Sequence, residues 1–178
     1  MKKADDIYDE FLILRCQQQD SDALEILITK WQKPLLDHAT IVCGDRHAAY
    51  DIVQNAWIAM IRGIGKLKDP ARFKYWAYRT VGNKSVDHIR QQKSQQKLSH
   101  SILRTDPVEP QKQEDQQVVH HILSRMSQNH RTVLALHYLQ GFEVSEIATI
   151  TRTPVGTVKS RLHHGREVFR KLLEQEDV

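Results

Sequence analysis

Residues 144–173 read VSEIATITRTPVGTVKSRLHHGREVFRKLL, and this stretch decides the fold. Val144, Ile147 and Ala148 fall on one face of a short helix. Arg152-Thr153-Pro154 interrupts it, because proline cannot continue a helix and biases the residue before it toward extended backbone. Val155, Val158, Leu162, Gly165, Phe169 and Leu172 then recur at alternating three- and four-residue steps. Such a seam has to be buried, here against the first helix. At about 100° per residue, Gly156, Thr157, Ser160, His163 and His164 fall opposite the seam, flanked by Lys159, Arg161, Arg166 and Arg170. Short polar side chains on that face can reach base edges in a major groove, and the longer cations beside them can hold phosphates. An ordinary amphipathic helix would share the seam but not the short turn and the concentrated charge.

Working outward, charge is the next signal. The 178-residue chain carries a net charge of only +4, with a pI of about 9.1. Its distribution is uneven. Residues 152–171 hold six basic and one acidic side chain, a net of +5, and residues 62–97 hold ten and two, a net of +8. Residues 1–25 hold three basic and seven acidic ones, a net of −4. Two separated basic blocks read as two phosphate-facing surfaces. With 40% hydrophobic and 27% charged residues the composition is globular, and seven Gly and five Pro in the whole chain favour helix over a turn-rich β protein.

The remaining elements follow from periodicity. Leu24, Leu27, Ile28, Trp31 and Leu35 form one apolar stripe, with Ser21 as the expected N-cap and Pro34 expected to kink or end the regular helix. Gly44-Asp45 punctuates the chain. Ala49, Ile52, Val53, Ala56, Trp57, Met60 and Ile61 then predict a second helix ending near Gly63 and Gly65. Asp69-Pro70 restarts helix as N-cap and first helical residue. From Gln91 to about Gln117 the chain turns to Gln, Ser, Lys and acidic residues with Pro107 and Pro110, the composition of a flexible linker. Helices are predicted again over Val118–Met126 and Arg131–Leu139. The expectation is an all-α chain with domains at 1–95 and 118–178 joined by a linker at 96–117.

Between Arg72 and Arg90 aromatic and basic residues interleave. Phe73, Trp76, Ala77, Thr80 and Val81 fall on the inward face, where the aromatics serve as core. Arg72, Tyr75, Arg79, Asn83 and Arg90 share a second face. Cations for a backbone and an Asn amide that both donates and accepts suit single-stranded nucleic acid. On the preceding helix Asp51, Gln54 and Asn55 lie opposite the apolar stripe, which by itself describes a wet surface.

These residues make the chain recognisable. Ser145-Glu146-Ile147-Ala148 followed by Thr153-Pro154-Val155-Gly156-Thr157-Val158-Lys159-Ser160-Arg161-Leu162-His163 resembles region 4 of sigma-70-family RNA polymerase sigma factors, in the extracytoplasmic-function (ECF) branch. Ala56-Trp57-Ile58, Phe73-Lys74-Tyr75-Trp76-Ala77-Tyr78-Arg79, Asn83, Asp87 and Arg90 are similar to region 2 of the same family. The two resemblances occur in order over about residues 20–92 and 118–173, with no intervening region 3. They imply −35 element contacts at Thr157, Lys159, Ser160, Arg161, His163, His164 and Arg166. For the −10 element they imply Gly63, Lys66 and Leu67 in the loop after the second helix, with Arg72, Tyr75, Arg79 and Asn83 on the next. There a flipped base would be captured, which costs a few kcal/mol of stacking. Asp51-Ile52-Val53-Gln54-Asn55-Ala56-Trp57 resembles region 2.2, implying that Asp51, Gln54, Asn55 and Ile58 dock on the β′ clamp coiled coil of core RNA polymerase. The β flap, promoter DNA and an anti-sigma factor are the other implied partners. Asn55, His164 and Gly165 stand where the branch commonly has Glu, Arg and Ala, and Glu143 stands where it has a Ser N-cap, so a poorer start to that helix is expected.

A stand-alone helix-turn-helix regulator of duplex DNA is the alternative, but it leaves the aromatic–basic block and the Asp51–Trp57 run without a role. No Gly-rich phosphate loop, nucleophile elbow or paired-carboxylate constellation points to an enzyme, so no catalytic residues are assigned. Cys16 and Cys43 are isolated. The adjacent pairs His120–His121 and His163–His164 diverge on a helix, so neither a metal nor any other cofactor is expected. Met1-Lys2-Lys3-Ala4-Asp5-Asp6 carries no signal-peptide core and no apolar run approaches a membrane span, which fits a cytoplasmic protein without membrane insertion.

Overall fold

The computed structural model describes residues 4–98 and 114–176, and among them every regular element is helical. The first domain is built from α1 (Ala4–Gln17), α2 (Ser21–Cys43), α3 (Arg46–Gly63) and α4 (Phe73–Leu98). The second holds α5 (Glu114–Arg125), α6 (Gln128–Leu134) running into a π-helical turn at Ala135–Leu139, α7 (Val144–Thr151) and α8 (Val155–Glu176). The all-α, two-domain expectation holds. Helix covers both ends of the stretch assigned to the linker, and residues 99–113 lie outside the described residues.

α2 does not end at Pro34, one of the two outcomes expected there. The helix continues to Cys43 because Leu27, Trp31, Leu35, His38, Ala39 and Val42 are buried at helical spacing on both sides of the proline. Packing outweighs the local cost of about 3 kcal/mol. Its N-cap is Asp20, not Ser21: the carboxylate accepts the Asp22 and Ala23 N–H groups, both at 3.0 Å. Gly44 closes α2 at φ +79°, a backbone conformation that favours glycine. Asp45 then caps α3 through His47 and Ala48.

The core of the first domain is aromatic. Trp31 meets Phe73 edge-on at 5.6 Å and Tyr78 at 6.2 Å, and Tyr78 is buried although the periodicity argument left it out. On α3 all the expected inward residues are buried except Ile61, which is 41% exposed. α1 adds Leu12, Ile13 and Cys16 to the same core. Most buried apolar residues of both domains form one contiguous cluster, so the two cores meet.

Candidate nucleic-acid interface

α8 is carried by its seam. Val158, Leu162 and Gly165 are buried, and Phe169 and Leu172 are half-buried, while Val155, the first residue of the helix, is 45% exposed. Gly165 stands where α6 comes closest: a Cβ there would lie 3.3 Å from both Cγ and Cδ1 of Leu134. Close helix–helix approach accounts for glycine at this position. Lys159, Ser160, His163, His164 and Arg166 are exposed, Thr157 is half-buried, and Arg161 is half-buried where it lines the cleft between the domains.

His163 and His164 converge on one carboxylate. Glu167 Oε1 lies 3.5 Å from His163 Nε2, and Glu167 Oε2 lies 3.2 Å from His164 Nδ1. One donor atom from each of the three falls within 4.8 Å of the others, an arrangement that spacing between the histidines alone does not reveal. The hydrogen bond from His164 holds the Glu167 carboxyl below the usual carboxylate range.

The start of α7 is better capped than expected. Glu146 reaches back so that its Oε2 accepts the Glu143 N–H at 2.8 Å, the half of a capping box that needs no serine.

The α3 face is bare. Asp51, Gln54, Asn55 and Ile58 are all exposed, whereas Ile52, Val53, Ala56 and Trp57 between them are buried. The Trp57 indole N–H donates to Gln32 Oε1 at 2.8 Å, which fixes the helix on α2 and hence the direction of its outer face.

The loop after α3 is a short 3₁₀ turn at Ile64–Lys66. A Cβ on Gly63 would lie 3.0 Å from the Trp76 ring, so the end of α3 packs closely against the indole there. The loop is tied by Gln17 at the end of α1, whose amide donates to the carbonyls of Ile64 at 3.0 Å and Leu67 at 2.8 Å. These bonds leave Lys66 exposed and Leu67 half-buried.

Across α4 the predicted face divides. Arg72 and Asn83 are exposed, and Asn83 sits at the rim of the interdomain cleft. Tyr75 and Arg79 are instead engaged by the second domain. The Tyr75 hydroxyl donates to Glu146 Oε1 at 2.8 Å. Arg79 Nε donates to the Ile150 carbonyl at 3.0 Å and its guanidinium also to the Thr149 carbonyl. Tyr78 donates to Gln140 Oε1 at 2.6 Å. Burial, with Glu146 beside it, pushes the Tyr75 phenol up to about 12.

Sequence reasoning missed Gln17, Gln140, Phe142 and Glu146. Phe142 follows Gly141, is 1% exposed, and packs on Tyr78 with ring centres 4.9 Å apart. Its signal was a lone large aromatic in a turn. Gln17 offered none, since its partners lie 47 and 50 residues away.

The sigma-70 region 2 profile matches residues 27–95 and the sigma-70 region 4 profile matches residues 116–168. RNA polymerase sigma-H factor of Pseudomonas aeruginosa is 27% identical, over 93% of this chain and 94% of its own. ECF RNA polymerase sigma factor SigW of Bacillus subtilis is 28% identical, over 90% and 94% respectively. The fold is shared with CnrH, solved in complex with the cytosolic domain of CnrY (TM-score 0.74, 21% identity, 94% of this chain and 98% of that one). It is shared too with the sigma factor RpoE from Bartonella quintana, solved with the anti-sigma factor NepR (TM-score 0.76, 19% identity, 85% and 96%). With both profiles present in order over most of its length, the chain belongs to the sigma-70 family, in its extracytoplasmic-function branch, and recognises promoters with RNA polymerase.

Proposed function

We propose that two DNA contacts and two polymerase contacts are divided between the two domains. The outer face of α8, with Lys159, Ser160, His163 and His164 central and Thr157, Arg161 and Arg166 at the sides, takes the −35 element. Gly63 at the end of α3 and Lys66 and Leu67 of the loop, with Arg72 just before α4 and Tyr75, Arg79 and Asn83 on it, take the −10 strand. Asp51, Gln54, Asn55 and Ile58 on α3 dock on the β′ clamp coiled coil, and the second domain meets the β flap. Residues 1–95 and 118–178 act as the two units and 96–117 as the tether.

The observation that carries this reading is the joint presence of both sigma regions on one chain with the α3 and α8 faces bare. An anti-sigma factor is a further expected partner, since the RpoE of similar fold was solved with one. Among the described residues no helix is long and apolar enough to cross a membrane, and the proposed site of action is the cytoplasm, where polymerase works. The protein supplies recognition and no chemistry of its own.

Run-off transcription with purified core polymerase on enriched promoter fragments tests the assignment. Specific starts are expected with core and protein together, and promoter duplex binding by the protein alone is expected to be weak. Asn83→Ala is expected to lose open-complex formation and Ser160→Ala to relax −35 choice, each at a cost of about 1–3 kcal/mol for a lost base contact. No start above background on any promoter would refute the reading.

A further inference from the structure

Resting in part on that reading of α8, we propose that His163, His164 and Glu167 form a binding site for a divalent transition ion of the zinc class, and that an ion held there competes with the −35 element. Adjacent histidines diverge on a helix, but Glu167 falls between them: at about 100° per residue it stands about 40° from His163 and about 60° from His164. Residues three and four apart are neighbours on a helix surface, so one carboxylate meets both rings. Glu167 Oε1 lies 3.5 Å from His163 Nε2, and Glu167 Oε2 lies 3.2 Å from His164 Nδ1. Zinc binds imidazole nitrogen and carboxylate oxygen at about 2.0–2.2 Å, which sets ligand atoms about 3.4 Å apart around a tetrahedral ion. Both N–O separations already match that edge. The three donors lie within 4.8 Å of one another, and the rest of the closure takes only rotation of exposed side chains.

The setting selects the kind of ion. One carboxylate among Lys159, Arg166, Arg170 and Lys171, all exposed on the same helix, is too little negative charge for Mg2+ or Ca2+, which take oxygen ligands. Two neutral imidazoles keep their affinity for a borderline ion in that field, and Glu167 offsets part of its charge. A carboxylate beside a DNA-facing surface opposes phosphates, so its place between the two rings calls for another role. The scaffold is firm. Leu162 and Gly165 are buried behind the site, with Gly165 close against Leu134 of α6, so the backbone that spaces the three ligands is fixed. Three protein ligands leave a fourth position to water. The same imidazoles are the groups that α8 offers to base edges, and a nitrogen that ligates a metal has no lone pair left for a base. Metal and −35 DNA therefore exclude each other at these two rings, and by linkage each weakens the other by the same factor.

The test is calorimetric titration of Zn2+ into the full-length chain, repeated with Glu167→Gln, His163→Ala and, as an exposed histidine on another helix, His47→Ala. One equivalent is expected to bind the parent and His47→Ala alike. Glu167→Gln and His163→Ala are each expected to weaken that binding by about tenfold or more, the scale of losing even a supporting residue at a metal site. The imidazole resonances of His163 and His164 are expected to shift together with the first equivalent, and excess Mg2+ to leave them in place. Binding unchanged in both Glu167→Gln and His163→Ala, or resonances that stay put or that Mg2+ moves equally, overturns the site. In a second arm each protein is titrated onto a fluorescent −35 duplex with and without Zn2+. Zn2+ is expected to weaken duplex binding by the parent about tenfold and to change that of Glu167→Gln little. Zinc that binds the three residues yet leaves duplex binding undiminished overturns the competition. A parent chain that takes the metal but binds no −35 duplex overturns the reading of α8, and the competition with it, while the metal site stands.

Discussion

α4 and α8 are alike in composition and differ in fate. Each presents cations and short polar groups on the side away from its apolar seam, and each lies in a block of strong positive charge. On α8 most of the outer face is exposed, while Val158, Leu162 and Gly165 of its seam are buried. On α4 the equivalent face is half covered, because α7 lies across it and satisfies Tyr75 and Arg79. A charged, polar helix face therefore identifies a surface made for a polyanion, and not whether that surface is free.

The contrast breaks first in acid. His38 is fully buried beneath α4, edge-on to Tyr78 at 5.1 Å, with its Nδ1 unpaired, and burial lowers it from 6.5 to about 4. The unfolded chain therefore takes up the proton first. Stability is full above about pH 6.5 and falls as pH drops toward 4, by about 3 kcal/mol. Because Trp31, Trp57 and Trp76 all lie in the first domain, tryptophan fluorescence melts report on that side of the molecule. The melting temperature is expected to fall over this window, and His38→Leu to flatten the slope.

Gly165→Val attacks the α8 side alone. Forcing a branched side chain against Leu134 is expected to cost about 1–3 kcal/mol. Far-ultraviolet dichroism and −35 duplex binding should register the loss more than tryptophan fluorescence does. Equal losses by both probes would show that the two domains unfold as one unit. Gln17→Ala, which frees the loop of Lys66 and Leu67, is expected to cost about 1 kcal/mol and to slow open-complex formation with −35 binding unchanged. Smallest is Tyr75→Phe. Losing one interdomain hydrogen bond is expected to cost about 0.5–1.5 kcal/mol, seen as faster amide exchange in α7.

Legibility followed locality. Val158, Leu162 and Gly165 could be placed on the buried side of α8 from spacing alone, and so could the exposed Ser160 and His163, because a helix converts sequence interval into direction. The same rule set Asp51 and Gln54 outward on α3. It failed at Ile61, whose spacing matches the buried stripe but which is 41% exposed, and local chemistry did not foresee that α2 runs on past Pro34.

The sequence by itself determined that the chain is helical, that it has two units, which faces carry charge, and to which family it belongs. Those properties depend on intervals of three and four residues and on motifs read in order. Only the tertiary structure decided that Gln17 pins the loop of Lys66 and Leu67, that Gly165 answers to Leu134, and that Tyr75 and Arg79 meet α7. Each of these joins residues tens of positions apart, and such pairings are set by how helices pack, which no local interval records.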